Sequence, residues 1–134
     1  MTAWDKEVGA IVLFTEDLAA AKAFYAEVFG QPLVHEDETS AVFKFPNTMV
    51  LVVDASSAAE LVTPTAVGPG GSGPRSMLSV FVPDVDAVCA ELAAKGVRLL
   101  NGPVDRRWGM RTAAFADPAG HVWEVAQEIA SGQA

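Results

Sequence analysis

Basic residues, histidines and cysteines are all scarce in this sequence, and each scarcity removes a class of function. Nine lysines and arginines stand against seventeen aspartates and glutamates, a formal charge of −8. No basic stripe is available to follow a phosphate backbone, which excludes nucleic acid as a partner, and an acidic membrane surface is excluded on the same ground. Two histidines, His35 and His121, leave no legible serine–histidine–acid arrangement. The single Cys89 cannot form an internal disulfide, and in "VDAVCAELAAKG" it reads as a small buried hydrophobe rather than a nucleophile. A reducing cytoplasm fits that usage. No apolar run approaches the length of a membrane span, and "MTAWDKEVGA" carries charge where a signal peptide needs its apolar core. The glycine-rich "GPGGSG" lacks the lysine and hydroxyl of a phosphate-binding loop.

What remains is a chain of 134 residues, 51% hydrophobic and 19% charged, expected to fold as one domain over 1–134. A chain of this size buries roughly two thirds of its unfolded surface, enough for a substantial core. The break in composition is "VGPGGSGPR", where four glycines and two prolines sustain neither helix nor strand. It predicts a linker or mobile loop over about residues 66–75.

The segments on either side repeat one pattern. In the first module, about residues 8–54, "AIVLF" suits a buried strand and Asp17 suits the cap of a helix. Leu18, Ala21, Tyr25 and Val28 share one helical face, and Gly30 terminates it. Three short strands follow in "PLVHEDE", "AVFKFP" and "TMVLVVDA". In the second module, about residues 76–128, "MLSVFV" is the strand and Asp84 the cap. Val85, Val88 and Leu92 form the stripe, and "VRLLN", "MRTAAFA" and "HVWEVAQ" are the strands. Aligning Asp17 with Asp84 sets Ala10 opposite Met77. "DPAG" places Asp117, Pro118 and Gly120 as a type I turn requires, and "FPNT" is a weaker version of the same corner.

A doubled βαβββ module with "DL…FY…FG" in its first helix and "DPAGHVWEV" in its last hairpin resembles the vicinal oxygen chelate superfamily. This is the group of glyoxalase I, bleomycin-resistance and extradiol dioxygenase proteins. The resemblance covers roughly residues 8–128. It implies an α+β fold in which two tandem βαβββ modules form curled mixed sheets around a cavity, and a homodimer whose partner completes each site. Metal-using members take one ligand from the first and one from the last strand of each module. Those positions are Ala10, Leu51, Met77 and Glu124 here, and only Glu124 is a competent ligand. A catalytic divalent site needs about three nitrogen or oxygen donors, and a thioether suits copper(I) better. His121, three residues from Glu124 on a strand, points to the opposite face roughly 10 Å away. No cofactor or divalent metal is therefore expected.

With Glu124 turned to the cavity, alternation places Val122 and Ala126 beside it and sends Trp123 and Val125 towards the helices. The same parity selects Ala10, Val12 and Phe14, then Met49, Leu51 and Val53, then Met77, Ser79 and Phe81. Such a lining suits a flat or greasy molecule, and it equally suits a filled core. In "RRWGMR", Trp108 either stacks on a ligand or covers a dimer seam; Met110 and Arg111 accompany it. Arg111 is expected to pair with Glu124, because an apolar cavity penalises an unpaired carboxylate. Arg106 and Arg107 read as solvated loop charges. Glu124 is open to four roles: metal ligand, general base, acceptor for a ligand amine, or structural partner of Arg111.

The resulting expectation is a metal-independent protein that binds a small aromatic or amphipathic, drug-like molecule through Phe14, Met49, Leu51, Met77, Trp108, Met110, Arg111 and Glu124. The alternative is a glyoxalase-like lyase, isomerase or extradiol-dioxygenase-type enzyme with a degenerate metal site and Glu124 as its catalytic candidate. A third reading is an interaction module with a collapsed cavity.

Overall fold

The computed structural model describes residues 6–74 and 76–129. The chain divides at Pro69–Gly70 into two compact units, each built on a four-stranded mixed sheet.

The first unit runs β1 (Ala10–Thr15), α1 (Leu18–Phe24), β2 (Leu33–Glu36), β3 (Ser40–Lys44), β4 (Met49–Asp54) and α2 (Ala55–Val62). Its strands lie in the order β1-β4-β3-β2, with β1 and β4 parallel and the other neighbours antiparallel. Asp17 caps α1 as its sequence position predicts, accepting from the Ala20 N–H at 3.0 Å. The helix does not stay α-helical to Gly30. Its last turn widens into a π-helical segment, Tyr25–Phe29, before Gly30 ends it at φ 64°. Within that turn Tyr25 and Phe29 stack at 5.6 Å, and Phe43 of β3 lies 6.0 Å from Tyr25.

The second unit repeats the plan with β5 (Met77–Phe81), α3 (Val85–Ala94), β6 (Leu99–Arg106), β7 (Met110–Ala116) and β8 (Val122–Glu128) in the order β5-β8-β7-β6. Asp84 caps α3 by accepting from the Ala87 N–H. The helix closes with Gly96 N–H donating to the Ala93 carbonyl and Val97 N–H to that of Leu92, which also accepts from the Lys95 N–H. The "DPAG" corner forms as read, with Gly120 N–H donating to the Asp117 carbonyl. The "FPNT" corner is closed by Phe45 N–H donating to the Thr48 carbonyl.

Strand alternation gives each sheet two unlike faces. The helix-side faces bury Leu13, Val50, Val52, Ala41 and Phe43 in the first unit. In the second they bury Ala113, Phe115, Trp123 and Val125 against Val85, Cys89 and Leu92 of α3. Cys89 is thus a packing residue, its thiol pushed up by burial and then by the charge of Asp86. The opposite faces carry Ala10, Val12, Phe14, Met49 and Leu51, and Met77, Ser79, Phe81, Val122 and Glu124, all exposed or half-buried. Val53 and Ala126 share those faces but are buried.

Two elements depart from the sequence expectation. Helix α2 occupies residues left without an assignment. Its Asp54 cap makes no side-chain bond to a helical N–H and Ala58 is its one buried residue, but Asp54 itself and the spacing of Ala55, Ala58, Ala59 and Val62 are helix signals that the strand pattern of "TMVLVVDA" conceals. Strand β6 is longer than "VRLLN" suggests and takes in Arg106, which is therefore not a loop residue. Residues 66–74 form neither helix nor strand, and Arg75 lies outside the described residues.

The turn between β2 and β3 rests on one carboxylate. Asp37 Oδ1 accepts from the N–H and hydroxyl of both Thr39 and Ser40. The Thr39 N–H, then the Ser40 hydroxyl, hold its carboxyl at about 2. A folded value below the unfolded one means that this contribution is complete above the ordinary carboxylate range and is lost as pH falls from about 4 towards 2. Carboxylate NMR of the intact chain should place the Asp37 midpoint near 2. A midpoint near 4 would show that the turn is not held this way.

Candidate functional site

The face of the second sheet that bears Glu124 is organised in cross-strand rows. Ser79, Glu124, Ala114 and Asn101 form the first; Phe81, Ala126, Thr112 and Val104 form the second; Glu128, Met110 and Arg106 form the third. Neighbouring strands lie about 4.8 Å apart, so side chains within a row are in reach of one another. Small residues occupy the middle of the sheet, with Ala114 and Ala126 at 6% and 2% exposure. Larger and polar groups stand around them.

Glu124 is oriented by its neighbour on β5: the Ser79 hydroxyl donates to Glu124 Oε2 at 2.6 Å. Arg111 is not its partner. Arg111 lies one residue out of phase, on the helix-side face, where its guanidinium donates to Asp86 of α3 at 2.9 and 3.2 Å and to Asp105 of β6 at 2.9 Å. Those bonds hold the Asp86 carboxyl below its ordinary value and raise the guanidinium further. The expected Arg111–Glu124 pair fails because β7 pairs Ala114, not Arg111, with Glu124. Glu124 remains compatible with its surroundings without an arginine because it is half-buried and already accepts from Ser79.

Ala10 and Met77 begin the two first strands, and Leu51 and Glu124 lie in the two last strands. Ala10 and Leu51 bring no donor, and Met77 brings a thioether. This set does not fit a divalent ion that prefers three oxygen or nitrogen ligands. The histidines are committed within their own turns: His121 Nδ1 lies 2.8 Å from Asp117 Oδ2, and His35 Nε2 lies 3.5 Å from Asp37 Oδ2. Among the described residues no group of three histidine, cysteine, aspartate or glutamate side chains is placed to hold a metal.

The same face opens into a hollow of about 480 Å³ lined by Phe81, Val82, Pro83, Met110, Ala126 and Glu128. Its walls are apolar apart from the one carboxylate. Phe81 is 78% exposed, a large apolar surface for a side chain in a sheet. Beside it, the β6–β7 turn carries Trp108, 60% exposed, with the guanidinium groups of Arg106 and Arg107 at 5.9 and 5.5 Å from its ring. Met110 is thus brought to the hollow and Trp108 to the adjoining turn. Phe14, Met49 and Leu51 share the corresponding face of the first unit. Glu128 escaped the sequence reading although its parity with Glu124 marks it, and Pro83 because it follows the strand. No local signal distinguishes Arg106 from its neighbour Arg107.

The paired βαβββ topology defines a class, and comparison with known proteins makes it specific. The profile of the Glyoxalase/Bleomycin resistance protein/Dioxygenase superfamily matches residues 7–125. The chain belongs to that superfamily. It is 29% identical over 119 residues to YraH, an uncharacterized protein of Bacillus subtilis (strain 168), covering 86% of this chain and 93% of the relative. Among solved structures, a glyoxalase/bleomycin resistance protein/dioxygenase from Nocardioides is 26% identical with a TM-score of 0.85, covering 96% of this chain and 87% of that one. A glyoxalase-related enzyme from Fulvimarina pelagi is 28% identical with a TM-score of 0.78, covering 92% and 88%. Among the described residues, no helix is long and apolar enough to cross a membrane.

Proposed function

We propose that this chain is a cytoplasmic, metal-independent protein that binds a small aromatic or amphipathic molecule on the open face of its second sheet. The observation that carries this reading is the hollow beside Phe81 and Met110. It is large enough for a two-ring compound, apolar, and bounded by an aromatic side chain that no fold requirement leaves in water. The donor set of Ala10, Leu51, Met77 and Glu124 supports independence from metal. Open sheet faces bearing Met77 and Phe81 support a homodimer, which sedimentation of the purified chain would register as twice the monomer mass.

The test is thermal unfolding of the full chain with 2-naphthalenemethanol, a neutral two-ring probe. At a hundredfold excess over its dissociation constant the probe adds about 2.7 kcal/mol to stability, a rise of several degrees in melting temperature. Phe81→Ala should remove most of that rise while leaving the unliganded melt nearly unchanged, because the side chain is already exposed. An unshifted melt, or a shift untouched by Phe81→Ala, would reject this site. So would stoichiometric zinc, nickel, manganese or iron in chain purified without chelator.

A second reading, an enzyme using Glu124, draws on the Ser79–Glu124 hydrogen bond, which orients a carboxylate on an open face. Under it, Glu124→Gln abolishes turnover of an identified substrate and leaves the melting temperature in place.

A further inference from the structure

Arg106 differs from the other arginine held on this sheet. Arg111 is matched by two carboxylates. Arg106 donates from Nε to the Thr112 hydroxyl at 2.9 Å and from Nη2 to Asn101 Oδ1 at 3.0 Å, both neutral oxygens. A guanidinium has five N–H donors, so two such bonds fix its plane and leave most of its donors unused. Among the described residues no carboxylate pairs with it, in a chain that has seventeen acidic residues against nine basic ones. Thr112 is only 2% exposed and Arg106 itself is half-buried, so the side chain is held against the sheet rather than trailing in water.

Its direction is informative. Arg106 begins in the row of Met110 and Glu128, and its bonds to Thr112 and Asn101 draw the guanidinium back along the face towards the row of Ala114 and Glu124. The floor beside it is made of Ala114 and Ala126, and beyond that floor lies the apolar hollow. A cation fixed by two neutral oxygens and the face of the Trp108 ring, with no carboxylate among the described residues to match it, suits an aromatic ring that carries a carboxylate. The two oxygens would take the free N–H groups in a bidentate pair while the ring lies on Ala126, Met110 and Phe81.

Resting on the binding function proposed above, we infer that the ligand of this site is an aromatic carboxylate and that Arg106 recognises its anionic group. The inference runs against the overall charge of the chain, which repels anions, so a preference for an anion must come from a local cation.

The experiment compares 2-naphthoate with 2-naphthalenemethanol by calorimetric titration of the native chain, Arg106→Gln and Glu128→Gln. The native chain should bind the carboxylate about tenfold more tightly than the neutral probe, as one charge-assisted pair supplies. Arg106→Gln should bring the two affinities within about twofold while the neutral probe still binds. Glu128→Gln removes the one carboxylate lining the hollow and should tighten naphthoate about threefold, an arm independent of how well the Arg106 variant folds. Equal affinities in the native chain, a preference that survives Arg106→Gln, or naphthoate binding unmoved by Glu128→Gln overturns the inference and leaves the binding function standing. If neither probe binds the native chain, the binding function fails first and the inference with it.

Discussion

Tyr25→Ala should cost about 3–5 kcal/mol, the largest loss expected from any single truncation in the first unit. Tyr25 is fully buried, stacked on Phe29, edge-on to Phe24 at 5.3 Å and tilted against Phe43 at 6.0 Å. Its ring joins the widened last turn of the first helix to the sheet. Removing it deletes the transfer energy of a large side chain and leaves a cavity among other rings, which rotate but do not move in to fill it. Denaturant unfolding followed by circular dichroism should show a lower midpoint with an unchanged slope. A loss below about 1 kcal/mol would mean that the aromatic cluster relaxes around the gap. Phe81→Ala is the matched control, a large aromatic removed from an exposed position, where stability should change by no more than about 0.5 kcal/mol.

Gly102→Ala should cost about 2–4 kcal/mol through a different cause. Gly102 sits in the irregular part of the β6–β7 pairing, between Asn101 and Val104, at φ 85°. A methyl group there would collide with the Thr112 carbonyl oxygen and come within 2.8 Å of the Ala113 Cα. Both are backbone atoms of a central strand and cannot turn aside as a flexible side chain would. Gly120 provides the comparison: its φ of 92° is equally unusual, but nothing lies within 4 Å of a Cβ built on it. Gly120→Ala should therefore show only the conformational part, about 1–2 kcal/mol. The excess in Gly102→Ala measures the close approach of the strands. Since Asn101 and Thr112 hold Arg106, the same substitution should also weaken naphthoate binding. An effect equal to that of Gly120→Ala would show that β6 yields without strain.

Much of the fold is legible before any coordinates, because it rests on local rules. Asp17 and Asp84 mark helix starts since a short carboxylate can meet the third helical N–H. Gly30 marks the end of the first helix since a left-handed residue is needed there. "DPAG" encodes its corner in four residues, and the helix-facing parity of Trp123 and Val125 follows from a period of two. Helix α2 is harder to read because the strand pattern of "TMVLVVDA" runs into its first residue, although Asp54 and the spacing of Ala55, Ala58, Ala59 and Val62 mark it.

The candidate site divides along the same line. Glu124 on an open face follows from alternation within one strand. Its partner does not, because pairing depends on the register of β7: Ala114 takes the place opposite Glu124 and turns Arg111 away to Asp86 and Asp105. Arg106 and Arg107 are adjacent and chemically identical in the sequence, yet one is held on the sheet by Thr112 and Asn101 and the other is an exposed turn residue.

The sequence by itself determined the doubled βαβββ plan, the two capped helices and the helix-facing parity of Trp123 and Val125. All of these depend on residue identity and on spacings of a few residues. Only the tertiary structure decided which charges meet, where the hollow lies and which arginine is held on the sheet by neutral oxygens. Those outcomes depend on strand register and on a bulge at Gly102, set by contacts between residues distant in the chain.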